Sequence, residues 1–133
     1  MYFTVFKNTI LDDMLGSSAT KLGVTIELGL SSTTPNPDGS NITEPTGGGY
    51  ARLSITNNST NWPPASGGIK SNGIEYNWTP SGANWNGLTH WVIWDSGIPK
   101  LFGILDNGSG TPQTVNIPDG DTYRILATRL RIQ

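Results

Sequence analysis

Cysteine is absent from the 133 residues, and histidine occurs once. The first absence excludes a disulfide framework, a thiolate nucleophile and a zinc-thiolate site, and it leaves the redox compartment open. Charge is scarce too: 14% of the residues are Asp, Glu, Lys or Arg, where an ordinary globular chain has about 25%. The formal net charge of -2 offers no electrostatic reason to bind nucleic acid or an anionic membrane. No stretch approaches the roughly 20 apolar residues of a membrane span, and MYFTVFKNTILDDML lacks the regions of a secretory signal. The chain reads as soluble and made in the cytosol, with neither nucleic acid nor membrane as a partner.

What is abundant is turn chemistry. With 17 Gly, 9 Pro and many Ser, Thr and Asn, few helices can be written, because these residues either break helices or compete for their backbone hydrogen bonds. One short helix is expected near the start, where Ile10 and Met14, and Leu11 and Leu15, fall four apart and Gly16 closes the pattern. At about three turns it is marginal alone and must lean on the sheet or on a neighbouring subunit.

From Val24 the period becomes two, with Val24, Ile26, Leu28 and Leu30 on one face, which predicts a half-buried strand. Residues 32–49, rich in Pro and Gly, are expected to form a long exposed loop of functional or mobile character. Strands are further predicted at 50–56, 73–79, 88–95, 100–105, 113–117 and 123–132, the last running unbroken to the C-terminus. Residues 88–94 are apolar on both faces, as a central strand requires. The fold class is all-β: a single β-sandwich or jelly-roll-like domain of about seven strands with one short N-terminal helix. Within 1–133, residues 1–21 form an N-terminal arm and helix, and 22–133 the sandwich.

Catalytic chemistry finds little foothold. His90 sits in the most apolar strand without an evident carboxylate or nucleophile beside it, and reads as a hydrogen-bonded core histidine. Asp119-Gly120-Asp121 and Asp106-Asn107-Gly108-Ser109-Gly110 lack the spacing of a calcium loop and read as tight turns. Gly47-Gly48-Gly49 precedes a strand, where no helix N-terminus could receive a phosphate, so a hinge or a close backbone approach explains it. No cofactor, metal or catalytic residue is assigned.

Five tryptophans are the most informative excess. Trp91 and Trp94 belong to the central strand. Trp62, Trp78 and Trp85 lie in polar contexts and could stack on sugars or anchor a protein interface. For Trp62 and Trp85 the core and the interface are both open readings.

Three ordered pieces resemble a family of small tailed-phage virion proteins, often labelled tail-fibre-like and including capsid decoration proteins. They are LGLSSTTPNPDGSNITEPTGGGYAR from Leu28 to Arg52, WNGLTHWVIWDSG from Trp85 to Gly97, and IPDGDTYRI from Ile117 to Ile125. The chain departs from the family pattern at Ile98-Pro99 and at its C-terminal arginines. The resemblance implies a virion structural protein without catalysis, acting as a homo-oligomer with a trimer favoured.

The leading expectation is a capsid decoration, or cement, protein on the outer head surface, contacting the major capsid protein or other virion proteins. Small size favours it, since a tail fibre normally adds a long shaft. A tail fibre or tail-tip component contacting the host is the rival, and a carbohydrate-binding module for a host glycan is the alternative of another class. Candidate interface residues are Tyr2, Phe3 and Phe6 of the apolar N-terminus, Trp62 and Trp85, and Glu44, Tyr50 and Arg52 at the end of the long loop.

Overall fold

The computed structural model describes residues 4–16 and 22–133. Helix α1 (Thr4–Met14) is followed by β1 (Thr25–Ser31), β2 (Leu53–Thr56), β3 (Lys70–Ser71), β4 (Tyr76–Trp78), β5 (Trp85–Leu88), β6 (His90–Asp95), β7 (Ile98–Ile104), β8 (Val115–Ile117), β9 (Tyr123–Ile125) and β10 (Arg131–Ile132). The all-β class holds, with one short helix.

Four strands form an antiparallel sheet in the order β2-β1-β6-β7, and the others pair as three two-stranded ribbons, β3 with β10, β4 with β9 and β5 with β8. The layer opposite the main sheet is therefore assembled from ribbons and not from a second sheet, and ten strands among the described residues replace the expected seven or so. Turn-forming Gly, Pro and Asn cut the chain too often for longer strands to persist.

Pairing puts Leu28 opposite Ile93 and Leu30 opposite Trp91, so these side chains share a face of the sheet. That face packs against Trp62, Tyr76, Trp78, Trp85, Leu88, Ile117, Ile125 and Leu130 from the ribbons and loops, which together form the hydrophobic core. β6 lies between β1 and β7 and is buried on both faces, as its apolar pattern predicts.

Strand β1 was expected to be half-buried, yet its second face is covered too: Gly29 and Ser31 are buried. The cover is the 32–49 segment, a largely exposed loop as its composition suggests, but one that folds back on itself and packs on the sheet. It turns on itself through bonds from Ser32 N–H to the Thr43 carbonyl (2.9 Å) and from Asn36 N–H to the Ser40 carbonyl (2.9 Å). Its Pro35 is buried, and Pro35, Gly39 and Ile42 line a cleft with Val92, Pro99 and Phe102 of the sheet. We refer to this segment as the flap.

The final strand is also corrected, because 123–132 is two strands broken by a turn at 127–129. The cause is Asn72, fully buried and far away in sequence. Its Nδ2 donates to the carbonyls of Ile74 (2.7 Å) and Leu126 (2.9 Å), while its Oδ1 accepts from Leu130 N–H (2.9 Å). One side chain thus satisfies backbone groups that a sheet partner would otherwise take.

Helix α1 rests on the segment around β3, as its marginal length requires. Asn8 Oδ1 accepts from Gly68 N–H (2.8 Å), and Asp12 reaches Lys70 Nζ (2.8 Å) and Ala65 N–H (2.6 Å). Gly16, at φ +92°, ends the helix against the backbone of Trp62, where a Cβ would run into its carbonyl.

Candidate functional site

The flap is held to the sheet by a cluster that begins with a mismatch in strand length. β2 begins at Leu53, opposite Leu28, so among the described residues Leu30 of β1 has no strand partner on that side. The Tyr50 hydroxyl takes its place, accepting from Leu30 N–H (2.9 Å) and donating to Glu44 Oε1 (2.9 Å). Gly29 makes the space: a Cβ there would lie 2.7 Å from Glu44 Oε1 and 2.9 Å from the Tyr50 oxygen.

Arg52 closes the cluster. Its Nε and Nη2 donate to Glu44 Oε1 (2.9 Å) and Oε2 (2.7 Å) as a two-pronged pair, and Nη1 reaches Glu27 Oε2 at 3.3 Å. The guanidinium carbon sits 3.5 Å from the centre of the Trp94 ring, a cation–π geometry. On the other side Trp85 packs edge-on against Tyr50, with centroids 5.2 Å apart, and its Nε1 donates to the Gly47 carbonyl (3.1 Å). Gly47, Gly48 and Gly49 all have positive φ. At Gly48 a Cβ would lie 2.8 Å from Trp85 Nε1, so the triple glycine is a close backbone approach.

Electrostatics fit a mechanical role. The hydrogen bond to Glu44 holds the Arg52 guanidinium protonated above its ordinary range. Burial pushes the Tyr50 phenol well above its usual value, so it is neutral and serves as a hydrogen-bond relay. His90, the one histidine, is buried, with its Nδ1 2.8 Å from Thr89 Oγ1. Burial lowers its pKa, which keeps the imidazole uncharged near neutrality. The acidic turns employ their carboxylates in backbone hydrogen bonds, Asp106 accepting from Gly108 N–H (2.8 Å) within its own turn and Asp119 from Gly82 N–H (2.7 Å) of a distant turn.

Of the candidate residues, the structure brings Glu44, Tyr50, Arg52 and Trp85 together. Trp62 stands apart, with 0% of its surface exposed. Tyr2 and Phe3 lie outside the described residues, and Phe6 falls within α1 with its side chain likewise outside them. Trp62, Trp78 and Trp85 are all buried in the core, so of the two readings left open for Trp62 and Trp85 the core one describes them. A ring with both faces packed against protein has none left to stack on a ligand.

Sequence reasoning missed Glu27, Gly29 and Trp94 as members of the cluster. The alternation along β1 already placed Glu27 and Gly29 on one face. Nothing local to Trp94 signalled that an arginine more than forty residues away would cover it.

Replacing Arg52 by lysine is expected to cost about 1–2 kcal/mol, since a point charge cannot reproduce the forked contact. Urea unfolding measures this, and limited proteolysis should cut faster within 32–49. An unchanged cleavage rate would contradict the clasp.

A protein-family model described as podophage GP4 fiber I protein gp80 matches residues 2–133. No curated protein matches the chain.

Proposed function

The chain belongs to the family of the podophage GP4 fiber I protein gp80, a phage virion structural family, and on that premise we propose that it is a building unit of a virion fibre. The observation that carries this reading is a match to a fibre-protein model along almost the whole chain. It favours the fibre over the capsid decoration that small size led one to expect.

The geometry suits such a part. The clasp of Glu44, Tyr50 and Arg52 consumes its polar groups internally, and the flap it pins covers a sheet face that would otherwise need a partner. In this reading the pinned flap gives a unit suited to display in many copies. Its role in this reading is mechanical, and its partners are other virion proteins and its own copies.

Immunogold labelling of purified particles with an antibody against the chain tests the proposal. Gold confined to the fibres is the expected result. An even distribution over the capsid faces would return the assignment to decoration, and particles lacking the chain would refute any virion role.

A further inference from the structure

Three asparagines of the chain precede glycine: Asn72, Asn86 and Asn107. In such a pair the backbone nitrogen of the glycine can attack the side-chain amide carbon of the asparagine, because glycine has no Cβ to shield it. The fold treats the three differently. Asn72 is fully buried, its amide engages the carbonyls of Ile74 and Leu126 and the N–H of Leu130, and Gly73 N–H is committed to the Asn61 carbonyl (2.7 Å). Asn86 is exposed, and Gly87 N–H donates to a neutral amide oxygen, Asn116 Oδ1 (2.8 Å).

Asn107 is exposed in the loop between β7 and β8, which a bridge between Asp106 and Pro112 closes. Here Gly108 N–H donates to a carboxylate, Asp106 Oδ1 (2.8 Å). The amide oxygen of Asn107, Oδ1, accepts from Ser109 N–H (2.9 Å). Arg129 Nη1 donates to the Gly108 carbonyl (2.6 Å), and a Cβ on Gly108 would run into that nitrogen, so the turn itself demands glycine at φ +84°. A base thus sits on the nucleophile's proton, and a donor sits on the oxygen where negative charge would develop. These are the two elements of an acyl-transfer site.

We propose that Asn107 is a self-modification site of the folded chain, with Asp106 as its general base. Asp106 takes the proton of Gly108 N as that nitrogen bonds to Asn107 Cγ, and Ser109 N–H stabilises the oxyanion on Oδ1. The Cγ–Nδ2 bond then breaks, and the nitrogen leaves as ammonia with the proton that Asp106 returns. The product is a succinimide, which water opens at either carbonyl to aspartate or isoaspartate. Each conversion adds a carboxylate close to Arg129. Other groups facing this loop do not compete as the base. Arg124 and Arg129, which line the adjoining cleft, are cations without a free acceptor. The Tyr123 phenol of the same cleft is pushed up to about 12 by burial and by the Asp106 charge, so it stays neutral.

Peptide mapping by mass spectrometry of the intact chain, incubated at neutral pH, tests the proposal. Acid is expected to accumulate fastest at Asn107, more slowly at Asn86 and not detectably at Asn72, and the three rates should converge when the chain is unfolded in urea. Asp106→Asn keeps an oxygen for Gly108 N–H and removes the base. It should slow conversion at Asn107 by about tenfold, less than an enclosed enzymatic base supplies, and leave Asn86 unchanged. From about pH 6 to 8 the rate at Asn107 should be nearly flat, since a carboxylate is the base, while the rate at Asn86 climbs with hydroxide.

Equal rates at Asn86 and Asn107 in the folded protein would overturn the proposal. So would a rate at Asn107 that climbs with pH and is indifferent to Asp106→Asn. Should that variant fail to fold, the pH profile of the natural protein still decides. Neither result bears on the fibre reading, which rests on the family match.

Discussion

Trp62→Ala is expected to destabilise the protein by about 3–5 kcal/mol, the cost of emptying a large aromatic site in a packed core. Trp62 has no exposed surface, abuts the end of α1 through Gly16, and lies 6.3 Å from the Tyr76 ring. Removing it opens the junction of helix, ribbons and sheet at once, and the melting temperature should fall by roughly 10–20 °C. Trp62→Phe should cost much less than its lost volume suggests. The indole Nε1 is buried and has no hydrogen-bond partner among the described residues, so phenylalanine also removes an unsatisfied donor, whose penalty is about 1–3 kcal/mol. Urea denaturation of both variants separates the two terms. If alanine cost less than valine-for-isoleucine changes elsewhere in the core, the ring would not be the packing element described.

The second large effect lies in the anchor of the helix. Lys70 has 1% of its side-chain surface exposed, and its ammonium meets Asp12 at 2.8 Å. Asp12→Ala strands that buried charge. Breaking a fully buried pair costs about 3–5 kcal/mol, but Asp12 is itself 36% exposed and water can partly replace it, so about 2 kcal/mol is expected. Lys70→Met removes charge and desolvation together, and should come close to neutral.

The pair also sets an acid limit. Desolvation raises the Asp12 pKa, but the bonds from Lys70 and from Ala65 N–H outweigh it, and the net shift is downward from 3.8. A carboxylate depressed in the folded state contributes its full stability above the unfolded pKa and loses it as pH falls through the folded value. The stability difference between the natural protein and Asp12→Asn should therefore be constant above about pH 4 and shrink below it. Urea titrations at stepped pH check this; a difference that shrank between pH 5 and 8 would point to another group.

Several features were legible because their causes are local. Period-two apolar spacing marked β1, and a run apolar on both faces marked β6 as central. The four-residue spacing of Leu11 and Leu15 marked the helix, and Leu11 on α1 and Leu15 just past its end are both buried. Gly16 ended that helix as its conformational freedom allows. The triple glycine was legible as a close approach, though not what it approached.

Other features failed because their causes are contacts in three dimensions that composition and periodicity do not specify. The last ten residues alternate like a strand, yet Asn72 offers their backbone a better set of partners and the strand breaks. Residues 32–49 have the composition of a loose loop, but Arg52, Glu44 and the gap left by Gly29 convert them into a cover. The tryptophans looked available because their neighbours are polar, whereas burial depends on what packs above the ring.

Composition and periodicity by themselves determined an all-β chain with one short helix and a doubly covered central strand, since these follow from backbone preference and side-chain alternation within a few residues. Tertiary structure alone decided that Glu44, Tyr50 and Arg52 form a clasp, that the tryptophans are core, and that β7 is the outer strand of the main sheet among the described residues. Those properties belong to side-chain contacts and strand neighbours set by pairing and burial in three dimensions, which neither composition nor periodicity specifies.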